Sequence, residues 1–330
     1  MWARREAARQ LAADPPQATP VLSRSRRARD RWAGRLFLGA TVLPLALLVA
    51  MSIALLARTW PILQARPIWH LLTGQTWRPL QGEFGFRPFI IGTAWVTAVA
   101  MAVAIPPCLL SAVYLVEYAR PITRAVVKPL LDLLAGIPSV VYGVWGVVVV
   151  VPWVKNALLP TIGAWLGFIP LFAPTNPSGF SVLAGGIVLA VMVAPFIIAV
   201  SYEVLDSVPN GLREASLAVG ATRWQTVQHA VLPQSAPGIV AGIVLGASRA
   251  LGETMAVLMV VGNVARTPTS IFDPAYPLTA LIANNYGEML SIPLYDSALL
   301  GAALMLLGIV VLFNSASTLV LHRVTGRWAA

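Results

Sequence analysis

Six apolar runs divide the chain, at about residues 36–57, 89–116, 129–151, 181–202, 236–262 and 297–320. Each approaches or exceeds the ~20 residues that a helix needs to cross the hydrocarbon core of a bilayer. Most of them contain residues that interrupt a soluble helix. Pro106-Pro107 lies in the second, and Gly136 with Pro138 marks a bend in the third. Inside a membrane bundle, neighbouring helices can satisfy the freed carbonyls, and Gly143 and Gly146 permit close helix approach. Between the runs, 58–88 is polar, with Arg58, Arg66, Arg78, Arg87 and turn signals such as TGQTW and GEFGF. Residues 152–180 are Pro-rich yet apolar, with Trp153, Trp165 and Phe168, and are expected at the bilayer interface rather than as a further span. A loop over 263–296 carries Asp273, Glu288 and Asp296, and 204–235 is a polar stretch with both signs of charge.

Composition agrees with a multi-pass membrane protein. Of 330 residues, 58% are hydrophobic and 11% charged, and the mean hydropathy is +0.76. A soluble chain carries about 25% charged residues. The net charge of +10 would suggest nucleic acid in a soluble protein. Here the arginines sit in flanks and loops, where they hold loops on the cytoplasmic side. With the amino terminus inside, sixteen basic residues fall in inside segments and six in outside segments. That bias puts both termini and 204–235 in the cytoplasm. The first 35 residues hold nine arginines plus Pro15, Pro16 and Pro20, and read as a disordered basic cytoplasmic arm. Its charged region is too long for a signal peptide, and the run that follows is nearer a span than a signal core of roughly 7–15 residues.

Candidate chemistry is sparse. Cys108 is the only cysteine, so intrachain disulfides are impossible, and its apolar surroundings point to packing. His70, His229 and His322 are far apart, with no metal-ligand spacing. No GxxxxGK[ST] occurs, so the chain is not expected to bind ATP itself. Asp132 can pair with Lys128 one turn earlier, as a helix-end interaction. Met255 and Met259 form an i,i+4 pair expected in the core.

The polar stretch is more informative. After Pro209, GLREASLAVGATRWQTVQHAVLP reads as a short helix, a break at Gly220, and a second short helix stopped by Pro233. Leu212, Ala215 and Val219 recur at helical spacing, with Arg213 and Glu214 on another face; in the second helix Trp224, Val227 and Val231 can share one side. A plain amphipathic surface loop would account for this much. The spacing goes further. Glu214-Ala215-Ser216, then Gly220, then Leu232-Pro233 resembles the signature of permease subunits in binding-protein-dependent ABC importers. That family has Glu-Ala-Ala, a Gly after three intervening residues, nine residues and Ile-x-Leu-Pro. Ser216 and Ala230 depart from it, both to small residues. The resemblance implies that this stretch is a coupling helix seated in a groove of a cytoplasmic ATPase.

AVGATRW leading to Leu-Pro, then RALGETMAV and VGN, is similar to the phosphate-specific importer. LLAGIPSVVYGVWG (133–146), FGFRPFIIGT (84–93) and SIFDPAYPLTALIAN (270–284) resemble its PstC-type permease. The similarity runs from about residue 70 to the end of the last apolar run. It implies an all-α integral membrane protein of type I ABC importer permease fold, with six transmembrane helices and both termini cytoplasmic, in a bacterial inner membrane. It also implies a second permease subunit as heterodimer partner, two ATPase subunits that bind ATP and Mg, an extracytoplasmic phosphate-binding protein, and no cofactor on this chain.

Arg249 and Glu253 fall in the middle of the fifth run. A charge at that depth costs roughly 2.5–3.5 kcal/mol on insertion scales, so neither is expected to face lipid unpaired. At i and i+4 they are expected on one helix face, within reach of each other. A structural ion pair locking helices together is one account. The other sets Arg249 in the pathway, where a guanidinium can contact two phosphate oxygens and Glu253 competes for it. Thr254 and Asn263 are candidate hydrogen-bonding groups of the same pathway, or packing residues.

The expected organisation is a basic arm at 1–35, a first transmembrane helix at 36–57, an extracytoplasmic loop at 58–88, the permease domain at 89–321 with coupling helices at 204–235, and a cytoplasmic tail at 322–330. Another oxyanion (phosphonate, sulfate or molybdate) remains open as substrate. An ion-coupled secondary transporter would show internal repeats or further membrane acids. A membrane scaffold gives no account of the Arg249 and Glu253 charges.

Overall fold

The computed structural model describes residues 24–288 and 292–328. The chain divides into two compact units, Met1–Ala54 and Leu55–Ala330. The boundary lies inside α1 (Arg24–Ala65), which begins well before the expected first span. Residues 24–35 are therefore helical, although the arm reading made them disordered; residues 1–23 of that arm lie outside the described residues. Pro20 is the last breaker before the apolar run, and the Arg- and Ala-rich sequence after it is a good helix former that extends the helix backwards. In the first unit the apolar side chains from Leu36 to Ile53 are exposed, as a lipid-facing helix requires. The hydroxyls of Thr41 and Ser52 donate back to the carbonyls of Phe37 and Leu48, at 2.9 and 2.8 Å, so neither brings an unmet polar demand into lipid.

The second unit continues through α2 (Ile68–Thr73) and an antiparallel hairpin, β1 (Trp77–Arg78) with β2 (Glu83–Phe84), where Trp77 lies opposite Phe84. Further helices follow: α3 (Arg87–Val113), α4 (Pro121–Ala135), α5 (Ser139–Trp145), α6 (Leu159–Leu166) and α7 (Val182–Asp206). Beyond them come α8 (Asn210–Ala218), α9 (Arg223–Thr226), α10 (Leu232–Leu251), α11 (Met255–Val260), α12 (Leu278–Asn285) and α13 (Tyr295–Trp328). Among the described residues, six helical stretches are long and apolar enough to cross a membrane: Trp32–Ala65, Arg87–Tyr118, Ser139–Leu166, Val182–Asp206, Arg223–Leu251 and Tyr295–Leu319. The count matches the six apolar runs. The last helix reaches Trp328, so most of the expected tail is helical.

Two boundaries differ for one reason. The third span was expected at 129–151, but α4 ends at Ala135, Pro138 precedes a new helix, and the apolar stretch runs from Ser139 to Leu166. The first half of 152–180 thus continues a helical stretch of spanning length instead of forming a segment of its own. Likewise Pro233 does not stop a helix, because Arg223–Leu251 is continuous. In each case the chain passes its proline through a π turn. Gly146–Val150, Val154–Leu158 and Val227–Val231 end two residues before Pro152, Pro160 and Pro233. The residue ahead of each proline donates five residues back, as Leu232 does to the Val227 carbonyl. The wider turn makes room for the ring and for the N–H that proline lacks.

Buried residues of α3 and α7 form the centre, among them Ala100, Ala104 and Cys108 against Val188, Leu189, Val193 and Ile197. Cys108 therefore packs, as its surroundings suggested. Across from them, α10 turns a stripe of glycines to α7. A Cβ on Gly238, Gly242 or Gly246 would come within 2.6, 2.8 and 2.7 Å of Val204, Val200 and Ile197. Spacing of four puts the three on one face and lets the backbones meet. Replacing Gly242 by Leu is expected to lower the melting temperature of the purified protein, since overpacking a tight contact costs about 1–3 kcal/mol. An unchanged melting temperature would refute this account of the α7–α10 contact. A second cluster gathers Ile62, Leu71, Phe86, Phe89, Leu278, Leu281, Tyr295 and Leu299, with the Trp77 ring edge-on to Phe84 and Phe89 at 5.4 and 5.3 Å. A third, Ala112, Val113, Val116, Leu205, Val208, Val227 and Val231 among them, underlies the polar stretch.

Candidate functional site

The polar stretch folds as the short helix α8 and, after a sharp bend, the start of the continuous helical stretch Arg223–Leu251. Gly220 has φ +89°, a conformation that favours glycine, and a Cβ there would meet nothing within 4 Å. Only the backbone asks for glycine here. Thr222 then starts α9 with a capping box: its hydroxyl accepts from the Gln225 amide at 3.3 Å, and the Gln225 side chain accepts from the Thr222 amide at 2.8 Å. Ser216, one of the two departures from the family signature, bonds the Thr226 hydroxyl at 2.9 Å and staples α8 to α9 across the bend.

The faces are not those expected from the spacing. Val227 and Val231 are buried in the cluster below, whereas Trp224 is exposed. Leu212, Leu217 and Val219 are exposed too, Val219 to 85%. Glu214 and Ala215 are exposed beside them, while Arg213 turns the opposite way, so Arg213 and Glu214 do not share a face. Leu232 and Pro233, half-buried, lead into α10. The outer side therefore presents apolar knobs around one carboxylate, a surface suited to a protein groove.

The second constellation sits where α10 ends. Arg249 is in the last turn of α10; Gly252 ends the helix, and Glu253 and Thr254 lie in the short link before α11. This break separates the two charges that i,i+4 spacing had put on one helix face. Among the described residues the ion pairs are Lys128–Glu203 and Arg213–Glu117, and neither includes Arg249 or Glu253. Glu253 instead accepts the Ala256 amide at 3.3 Å, capping α11, while its own carbonyl accepts from the Thr279 hydroxyl at 2.8 Å. The Arg249 guanidinium is exposed and lies 5.9 Å from the centre of the Phe196 ring. Thr254 bonds the Gly252 carbonyl weakly, at 3.4 Å. Asn263 is at the far end of α11, at φ +52°, and its amide donates to the Leu258 carbonyl at 2.7 Å. The structure thus groups Arg249, Glu253 and Thr254 at one end of α11 and sets Asn263 at the other, about 9 Å along a six-residue helix. Asn263 lines a separate cavity of about 340 Å3 with Leu258, Met259 and Phe180.

Two further polar features have partners that the residues alone do not give. Lys128 pairs with Glu203 of α7 at 2.6 Å rather than with Asp132. The hydrogen bond and charge of Glu203 raise the Lys128 pKa above its ordinary value. At the other end of α7, Asp273 organises the loop after α11. Burial pushes its carboxyl up, but donors from Thr175, Thr269 and Ser270 outweigh this and hold it below the usual aspartate value. Hydroxyl residues three and four positions ahead of Asp273 were the available signal.

Comparison with known proteins agrees with this arrangement. Residues 108–326 match the model of the binding-protein-dependent transport system inner membrane component family. A phosphate transport system permease protein PstC of Mesorhizobium japonicum is 36% identical, over 88% of this chain and 89% of that protein. One of the same name from Xylella fastidiosa is also 36% identical, over 93% of each. In fold, the chain is similar to a bacterial ABC transporter involved in the import of the acidic polysaccharide alginate, with a TM-score of 0.57, 20% identity, and coverage of 88% of this chain and 96% of that one. The six apolar helices, the bend at Gly220 and the matched residues agree: this chain belongs to the family of inner membrane components of binding-protein-dependent transport systems.

Proposed function

We propose that this chain is the PstC-type transmembrane permease subunit of an ATP-driven inorganic phosphate importer in a bacterial inner membrane. The observation that carries the reading is the 36% identity to phosphate transport permeases over nearly the whole of both chains. The basic-residue bias puts both termini and 204–235 in the cytoplasm. Glu214, Ala215, Ser216, Gly220, Leu232 and Pro233 then belong to the segment that docks on a partner ATPase, which binds ATP and Mg. The exposed Leu217, Val219 and Trp224 supply apolar contact for that docking. A second permease completes the pathway, and an extracytoplasmic binding protein delivers phosphate to the loops at the other end.

In this reading Arg249 faces the pathway as the anion contact, a role supported by its exposure and by its having no carboxylate partner among the described residues. Glu253 and Thr254 shape the link beside it, and Asn263 holds the far end of α11. ATP binding closes the ATPases, moves the coupling helices and turns the pathway outward; hydrolysis resets it. Radiolabelled phosphate uptake by the reconstituted complex tests the reading, with and without ATP and with competing sulfate. Uptake is expected to require ATP and to resist sulfate. ATP-independent uptake would overturn the ABC assignment, and full competition by sulfate would overturn the choice of phosphate.

A further inference from the structure

Arg213 neighbours Glu214 in the coupling segment yet points away from the docking surface. Its side chain is 15% exposed, and that of its partner Glu117 is 13% exposed. The guanidinium reaches three elements at once. Nε donates to Glu117 Oε1 at 3.0 Å, and Glu117 lies in the π turn Tyr114–Tyr118 that ends the span containing α3. Nη2 donates to the Leu205 carbonyl at 2.8 Å, in the last turn of α7. Nη1 donates to the Val208 carbonyl, just past α7, and to Asn210 Oδ1 at 3.3 Å. The planar, rigid fork of an arginine fixes all these directions together.

The surroundings of α8 make this contact decisive. No residue of α8 is buried, so hydrophobic packing does not hold the helix to the spans. Ser216 ties it to α9, and Arg213 ties it to the ends of α3 and α7. Those two spans form the packed centre of the chain. A helix pulled from its outer face passes the pull inward only through contacts that resist separation. A half-buried arginine sharing a carboxylate and two carbonyls is such a contact, since removing one partner leaves charge without compensation.

We propose that Arg213 and Glu117 are a positioning pair that carries movement of the coupling helix to the ends of α3 and α7; this rests on the reading of 204–235 as the ATPase coupling segment. Breaking the pair uncouples ATP hydrolysis from transport without releasing the ATPase. Glu117→Gln is the informative variant. It removes the charge while Arg213 keeps its carbonyl acceptors, so the fold retains most of the contact. Arg213→Lys keeps the charge but cannot reach three elements with one ammonium.

The experiment uses the full complex in liposomes and measures phosphate moved per ATP hydrolysed, together with ATPase subunits retained on purification. In both variants the ratio is expected to fall about tenfold, within the range of coupling effects of single residues, while ATPase subunits remain bound. A wild-type ratio in both variants would overturn the proposal. So would loss of bound ATPase with an unchanged ratio in the complexes that remain, which is the mark of a merely structural contact. A second readout needs no phosphate. Met255, which the i,i+4 spacing with Met259 had put in the core, is exposed beyond the break after α10, and Met255→Cys should show an ATP-dependent change in maleimide labelling. Loss of that change in the Glu117→Gln background supports the pair, and its persistence refutes it. If the wild-type complex hydrolyses ATP and moves no phosphate, the substrate reading fails and the labelling readout still judges the pair.

Discussion

Gly220→Val is expected to reduce ATP-driven phosphate uptake by the reconstituted complex by roughly 5- to 30-fold, with normal insertion of the chain. The bend has φ +89°, and an L-residue in left-handed backbone costs about 1–2 kcal/mol, more for a branched side chain. Nothing lies within 4 Å of the added Cβ, so the effect acts through the backbone and not through a clash. If the turn relaxes, α8 and α9 lose their relative angle, and the face that carries Leu217, Val219 and Trp224 no longer fits one groove. Asparagine enters this region far more readily than valine, so Gly220→Asn should retain most of the uptake. Glu214→Gln should weaken docking in the same assay without touching the bend. Co-purification of the ATPase and the ratio of uptake to hydrolysis separate lost docking from lost coupling. Normal binding and coupling after both Gly220→Val and Glu214→Gln would show that this stretch is not the coupling element.

Arg249→Gln is expected to lower uptake by roughly two to three orders of magnitude, the loss that follows removal of a preorganised charge facing an anion. Arg249→Lys should fall between, since an ammonium keeps the charge without the two-pronged contact. Glu253→Gln separates the two accounts of this arginine. If it locked helices by pairing with Glu253, then Glu253→Gln would do equal harm. Glu253 instead caps α11 through an oxygen that glutamine also possesses, so Glu253→Gln should be markedly milder than Arg249→Gln. The measurement is ATP-dependent uptake at matched levels of assembled complex. Intact uptake in Arg249→Gln would remove this residue from the pathway.

Much of the molecule was readable from local pattern. Six apolar runs gave, among the described residues, six helices of spanning length, and Gly220 marked the bend after α8, although the helix beyond it runs on through Pro233. These are local properties: an apolar run must leave water wherever it is, and a positive φ favours glycine in any context. The basic N-terminal segment was read too loosely, because polar composition alone does not separate a helix extended from a neighbouring span from a chain without structure.

What sequence by itself determined is the class of the chain, the number of spans and the polar stretch set between them. Hydropathy and turn preference act over a few residues and need no partner. The tertiary structure alone decided where the prolines are absorbed, since Pro152, Pro160 and Pro233 pass through π turns and not breaks. It alone decided that Arg213 turns inward to Glu117 while Glu214 faces out, that Lys128 takes Glu203, and that Gly252 parts Arg249 from Glu253. The two ion pairs depend on which distant element lies alongside. A guanidinium or a missing N–H is satisfied by whatever the fold brings near, and the partners here stand 96 and 75 residues away along the chain.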